Sequence, residues 1–353
     1  MNLGTDKVSL EKSIVRSKYL AENIVIVDGF PGCGKTLFGP IISSLQRVEI
    51  MQYIFEIEFI CRLFELRKID KDAAVSMVKM LSDHKLYQSM MGRDTNFRYS
   101  DLSSVFNYPN PLKYFKRIFG EGDMVIPQRI NDSKPILSFV AHDLLAYGEP
   151  VFEALGSRLT FIEVVRHPLY MLIQQTLNME RLFAKSQARD IQIYFEYKGE
   201  ELPYFCHGWE DLYLGSSKVD RAIYSISFAK DKNKKGLFDL ESKFKEVKFI
   251  RIPFEKFVKS PEGYMKEISN SLNTNSSNRT NKALKSQNVP RKKVSEGIPL
   301  EIYKRCGWEP PNKDLSEDEE LEKRRQWAVE MGASDKALRA LDQLSSEYIE
   351  ENL

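Results

Sequence analysis

The sequence predicts an α/β fold of three layers, in which helices flank both faces of a central parallel sheet. Three observations lead there. The stretch Ile24 to Pro40, "IVIVDGFPGCGKTLFGP", is an apolar β-branched run that ends in Asp28 and passes at once into a glycine-rich turn. Four further short apolar runs follow: "DMVIP" (Asp123–Pro127), "PILSFVA" (Pro135–Ala141), "LTFIEVV" (Leu159–Val165) and "VKFIRI" (Val247–Ile252). Helical patterns lie between them. Short continuous apolar runs suit strands buried on both faces, and strands alternating with helices make a parallel sheet.

In chain order, residues 23–28 form the first strand. The turn after it fits G-x-x-x-x-G-K-[ST] with Gly29, Gly34, Lys35 and Thr36. A strand before and a helix after are the context this phosphate loop requires, so the expected fold is P-loop NTPase-like. The loop residues Gly29, Phe30, Pro31, Gly32, Cys33 and Gly34 would turn several backbone N–H groups toward one anion, and the next helix adds its positive end. Lys35 would neutralise the outer phosphate, and Thr36 would offer a hydroxyl to Mg²⁺ in a nucleotidase. Pro40 falls in the first turn after the loop, where proline is tolerated. A long helix is expected from about Ile41 to Arg67. Residues 70–120 read as mostly helical around a loop at "NYPNP" (Asn107–Pro111), which makes 41–120 a helical insertion.

The strand "LTFIEVV" runs into Arg166, and Pro168 opens a helix. An arginine at the carboxyl end of a parallel strand faces the ligand crevice and can fork onto a phosphate. His142 follows "PILSFVA" and should reach the same sheet edge, where an imidazole suits proton removal from a hydroxyl. His167 points away from Arg166 if strand alternation persists. Phe249 to Asn273 is a strand-to-helix unit. Residues 272–289, rich in Asn, Ser and Lys, read as a mobile surface loop that continues into basic residues up to 297. Ser316 followed by "EDEE" reads as an N-cap with acids in the first turn, so 311–353 forms a charged helical segment behind a single domain of residues 1–310.

Composition narrows the function. The chain has 353 residues, 42% hydrophobic and 29% charged, and a net charge of +2. That length allows one large α/β domain or two modest ones, and the near-neutral balance excludes a general nucleic-acid binder. Cys33, Cys61, Cys206 and Cys306 show no paired spacing, so neither a zinc site nor a disulfide framework is expected. The N-terminus lacks a signal peptide pattern, and no apolar run approaches the roughly 20 residues of a membrane span. The protein reads as soluble and cytoplasmic, with idle sequons at Asn275 and Asn278.

Taken in order, these elements resemble the sulfotransferase family, over roughly residues 22–300. The family's opening loop reads like "GFP-x-SGTT", which "GFPGCGKT" resembles. Its strand ending in R-x-P is matched by "VVRHPLYML", and its histidine before that arginine by His142, 24 positions upstream of Arg166. "PFEKFVKSPEGYMKEISNSLN" is similar to its "YEDL-x-x-DP" segment and following helix, and "PRKKVSEG" (Pro290–Gly297) stands where the family has a basic loop over the nucleotide. The resemblance implies a sulfotransferase-like fold that moves sulfonate from 3'-phosphoadenosine-5'-phosphosulfate (PAPS) to a hydroxyl. It assigns the 5'-phosphosulfate to Gly29–Thr36, the 3'-phosphate to Arg166 with Arg291 and Lys292, and the base to His142, with Lys35 stabilising the leaving phosphate. Three positions depart from the pattern. Gly32 stands where the family has a cation, Gln174 where it has a serine, and Val140 where the cytosolic branch has a lysine.

Two other functions stay open on the sequence. A kinase or NTPase using ATP or GTP with Mg²⁺ is favoured by the intact "GKT", although no strand ends in a Walker B acid and Asp143 is the nearest substitute. A non-catalytic nucleotide-binding member of the fold is the third. In either enzyme the partners are a nucleotide co-substrate and an acceptor. The aromatics Tyr53, Phe55, Phe59, Phe64, Tyr194, Phe195, Tyr204 and Trp209 fall in the segments expected to build the acceptor pocket.

Overall fold

The computed structural model describes residues 12–99, 101, 103–182, 191–298 and 307–353. Residues 1–11 and Cys306, on which the readings of the N-terminus and the cysteines drew, lie outside them. Strands β1 (Asn23–Asp28), β2 (Gln52–Tyr53), β3 (Ile136–Val140) and β4 (Leu159–Val165) are followed by a separate antiparallel hairpin, β5 (Tyr194–Tyr197) with β6 (Glu200–Pro203), and by β7 (Lys248–Pro253). The main sheet has five strands in the order β2-β3-β1-β4-β7, and every pairing in it is parallel. This is the three-layer α/β architecture expected from the alternating apolar runs.

Register explains why the runs are apolar at every position. Ile26 lies opposite Phe139 and Phe161, and Val27 opposite Val140 and Ile162. Ile24, Ile26, Leu137, Phe139 and Phe161 face one layer, packed with Ile57, Val78, Ile126 and Phe152 from its helices. Val25, Val27, Val140, Ile162 and Ile250 face the other, packed with Phe38, Leu172, Ile223 and Leu341. Neither face of β1 meets water, so alternation with polar residues would bury unsatisfied groups. The C-terminal helix Asp335–Asn352 packs on this second layer through Leu341 and Leu344. Among the described residues no helix is long and apolar enough to cross a membrane.

Three expectations about local structure fail. The run "DMVIP" is helical, with a 3₁₀ turn at Asp123–Val125 leading into the helix Ile126–Ser133. Only Ile126 and Ile130, one helical turn apart, are buried there, and Met124 is exposed. A run this short does not distinguish a strand from a helix. The long helix from Ile41 is broken: Phe38–Ile42 ends, the backbone bridges to Ile136, β2 joins the sheet edge, and a new helix runs over Phe55–Glu65. The segment 41–120 is therefore not wholly an insertion, because β2 belongs to the sheet. Sheet hydrogen bonds override helix propensity here: Glu49 N donates to Ile136 O at 2.8 Å and Ile136 N to Arg47 O at 2.9 Å. Within the supposed loop 272–289, Asn278–Ser286 is a helix with Ser277 and Thr280 in a capping box. Gln46 N donates to Asn275 O at 3.1 Å and Arg47 Nη2 to Asn273 O at 2.7 Å, which ties the segment down.

One buried ion cluster holds the sheet's edge. The Glu49 carboxylate accepts both guanidinium nitrogens of Arg117, at 2.7 and 2.9 Å, Lys113 Nζ at 2.7 Å and the Tyr114 hydroxyl at 2.8 Å. Burial opposes its ionisation, but Lys113 and Arg117 outweigh burial and hold its pKa at about 2. A carboxylate depressed on folding contributes stability above its unfolded pKa and loses it as pH falls through the folded value. Glu49→Gln leaves Arg117 buried without its counter-charge, so it should destabilise the fold by about 3–5 kcal/mol at neutral pH. In urea titrations the deficit should shrink as pH falls toward 2, where the wild-type carboxylate itself takes a proton.

Candidate functional site

The site lies at the carboxyl ends of β3, β1 and β4, where the chain leaves β1 toward one edge of the sheet and β4 toward the other, the place where open parallel sheets bind ligands. The loop after β1 turns at Gly29 (φ 151°), Gly32 (φ 94°) and Gly34 (φ 90°). Two of these tolerate no side chain. A Cβ at Gly29 would stand 2.4 Å from Val164 O, and one at Gly34 2.4 Å from the Phe254 ring. The loop is therefore laid directly on the ends of β4 and β7. Gln175 Nε2 donates to Pro31 O and Arg166 Nη1 to Gly32 O, the latter at 3.1 Å, so the next helix and strand also hold it.

A cleft of about 1190 Å³, counted with its open mouth, brings together Gly32, Gly34, Lys35, Thr36, His142, Arg166, Gln174 and Arg291. Pro31 lines it too. Not all the expected residues reach it. Gly29 sits beneath the loop, and Phe30 and Cys33 line a separate cavity behind it, Cys33 being 1% exposed. Lys292 is exposed and outside the lining, and its backbone N donates to Glu296. The C-terminal segment adds Trp308, Pro310 and Pro311, which the sequence reading did not single out.

Among the described residues that line the cleft, Lys35, Arg166 and Arg291 are the cations and there is no carboxylate. Arg166 lies over the Phe254 ring at 4.4 Å and the Tyr170 ring at 5.0 Å, and Arg291 approaches Phe254 at 5.6 Å. Both guanidinium Nε groups are buried without a hydrogen-bond partner. Burial lowers the pKa of Arg166, and burial with Arg166 alongside pushes Arg291 down to about 10. Glu255, and at Arg291 also Glu296, pull the other way from outside the lining, but both guanidiniums keep an unpaired donor, and a phosphate offers the acceptors they lack.

Lys35 is buried, and its Nζ donates to Gly29 O at 2.7 Å. Gly32 carries a left-handed φ and accepts Arg166, so a long cationic side chain there would be strained. Lys35 stands in the adjoining position and supplies the charge instead. His142, at the end of β3, has its Nδ1 3.0 Å from Glu58 Oε1, and its backbone N donates to the same oxygen at 3.0 Å. Its ring stacks on Phe55, which stacks on Tyr53. Glu58 went unnoticed in the sequence because it lies in a helix 84 residues away.

The acids nearest the loop lie outside the cleft lining. Asp28 is buried under the loop with one oxygen accepting Leu144 N at 3.0 Å, and burial with Asp143 nearby pushes its pKa up to about 8 against the pull of Lys35. Asp143 is buried, its pKa is raised by burial, and it faces Tyr204 rather than the cleft. His167 is buried away from the cleft and accepts Leu169 N as a helix cap.

No protein-family model and no curated protein matches this chain. Its structure is similar to the sulfotransferase domain of a Synechococcus olefin synthase, at 12% identity over 96% of this chain and 98% of that one, with a TM-score of 0.42. It is also similar to a Mycobacterium avium sulfotransferase, at 12% identity over 88% and 76% of the two chains and a TM-score of 0.37. A mouse sulfotransferase complexed with PAP matches at 11% identity over 94% and 90%, with a TM-score of 0.33. Likenesses at these TM-scores carry no argument about the reaction; the parallel α/β architecture rests on the sheet itself.

Two variants test the loop. Gly34→Ala should distort it and cost about 1–3 kcal/mol of stability, from the forced φ and the Phe254 contact, with nucleotide binding lost in calorimetry. Lys35→Ala should cripple nucleotide binding while Cys33→Ala, whose side chain faces the core, changes it little; equal titration curves for Lys35→Ala and wild type would count against a phosphate loop.

Proposed function

We propose that the chain is a sulfotransferase that moves sulfonate from PAPS to an acceptor hydroxyl. The observation that carries this reading is the cleft itself: three cations, two of them guanidiniums with unpartnered buried Nε groups, beside a histidine and with no lining carboxylate. In this reading PAPS supplies the activated sulfonate. The glycine loop and Lys35 hold its 5'-phosphosulfate, and Arg166 and Arg291 its 3'-phosphate. As the acceptor oxygen bonds to sulfur, His142 takes the hydroxyl proton and the bond from sulfur to the bridging phosphate oxygen breaks. The electron pair stays on that oxygen, where Lys35 meets the developing charge. Positioning and preorganised charge supply the rate enhancement.

A kinase using ATP or GTP with Mg²⁺ needs a carboxylate within reach of Thr36 and the metal. Asp28 and Asp143 are buried outside the lining, which favours the PAPS reading.

Titration separates the two. An arginine bonded to a phosphate contributes about 1.5–3 kcal/mol. Arg166→Ala should therefore weaken 3'-phosphoadenosine-5'-phosphate by roughly one to two powers of ten while barely changing ADP, which lacks the 3'-phosphate. A wild type that prefers ATP with Mg²⁺ and ignores the 3'-phosphate would overturn the reading.

A further inference from the structure

We infer that Glu58 is the positioning residue for His142, fixing its tautomer and aiming the bare ring nitrogen at the acceptor; this rests on the sulfotransferase reading for its chemistry. One oxygen, Glu58 Oε1, meets both His142 Nδ1 and His142 N at 3.0 Å. An ionised carboxylate only accepts, so the proton on that ring edge belongs to Nδ1. Nε2 is then the lone-pair nitrogen, and it is the one left for the cleft that His142 lines.

The carboxylate is itself held. Glu58 is 1% exposed, and its second oxygen accepts Arg62 Nη2 at 2.9 Å. Arg62 is 4% exposed, lies 4.0 Å from the Tyr204 ring centre and donates to Gln192 Oε1 at 3.2 Å. Glu58 and Arg62 are one helical turn apart in Phe55–Glu65, so a single rigid element presents the pair to the end of β3. Phe55, in the first turn of the same helix, stacks on the imidazole with an interplanar angle of 10°. The ring is thus fixed in rotation by the carboxylate and in tilt by the aromatic face. A buried carboxylate behind a histidine is the arrangement by which hydrolytic triads select the imidazole tautomer. Here it also stabilises the imidazolium that forms when the hydroxyl proton arrives. Glu58 touches neither the cleft nor the reacting atoms, so its effect passes through His142.

The test begins on the free protein. Nitrogen NMR of ring-labelled wild type should show neutral His142 with its proton on Nδ1, and Glu58→Leu should lose that preference. With PAPS and a phenol or sugar alcohol as acceptor, Glu58→Leu should lower turnover by about two to four powers of ten, with the affinity for 3'-phosphoadenosine-5'-phosphate unchanged by calorimetry. His142→Ala combined with Glu58→Leu should be no slower than His142→Ala alone, because the two act as a unit. Since Glu58→Leu strands Arg62 and can fail to fold, Glu58→Gln carries the same measurements; it keeps an acceptor for Nδ1 but loses the charge, and should cost about tenfold. A proton found on Nε2 in wild type overturns the assignment, as does wild-type turnover in a folded Glu58 variant. If wild type transfers no sulfonate, the reading of the reaction fails while the tautomer measurement still decides the role of Glu58.

Discussion

The site depends on one close approach, the seating of the glycine loop on the ends of two strands. Val164 O lies where a Cβ of Gly29 would be, and the Phe254 ring where a Cβ of Gly34 would be. Because the loop lies this near, Lys35 is carried into the interior and Arg166 reaches Gly32 O across it. The same Phe254 whose ring excludes a side chain at Gly34 also lies beneath Arg166 and Arg291. Loop conformation and the placement of the two arginines are therefore one piece of packing, with Phe254 shared between them.

Electrostatics then divides the sheet's carboxyl edge in two. Above the loop the described lining is cationic and free of carboxylates. Below it, Asp28 and Asp143 are buried, burial raises the pKa of both, and Asp143 adds to the rise at Asp28. A neutral acid under the loop leaves the positive charge of Lys35 available to a ligand, whereas an ionised one would compete for it. Glu58 is the exception. His142, Arg62 and Lys35 outweigh its burial and keep it ionised behind the histidine.

The fold and much of the cleft were legible because they depend on local pattern. Strands buried on both faces have to be apolar throughout, which exposed β1, β3, β4 and β7 to inspection, and a phosphate loop has to carry glycines at fixed spacing. Lys35, Thr36, His142 and Arg166 follow from where such strands and loops end, Arg291 from the family resemblance, and the structure gathers all five along one cleft. The failures share a different cause. "DMVIP" and the stretch after Ile41 were decided by which neighbours each segment met, and no local period reports that. The Asn-rich segment reads as a loop because its helix buries little more than Thr280 and Ala283.

By itself the sequence determined the layered α/β class, the glycine loop and the positions at strand ends, because these are set by residue type at short range. Only the tertiary structure decided which carboxylates stand near which cations. Glu58 reaches His142 across 84 residues, Glu49 reaches Arg117 across 68, and Trp308 arrives at the cleft from the far end of the chain. Charge pairing in a buried site depends on distances of a few ångströms between segments remote in sequence, and those distances exist only once the sheet has brought its strand ends together.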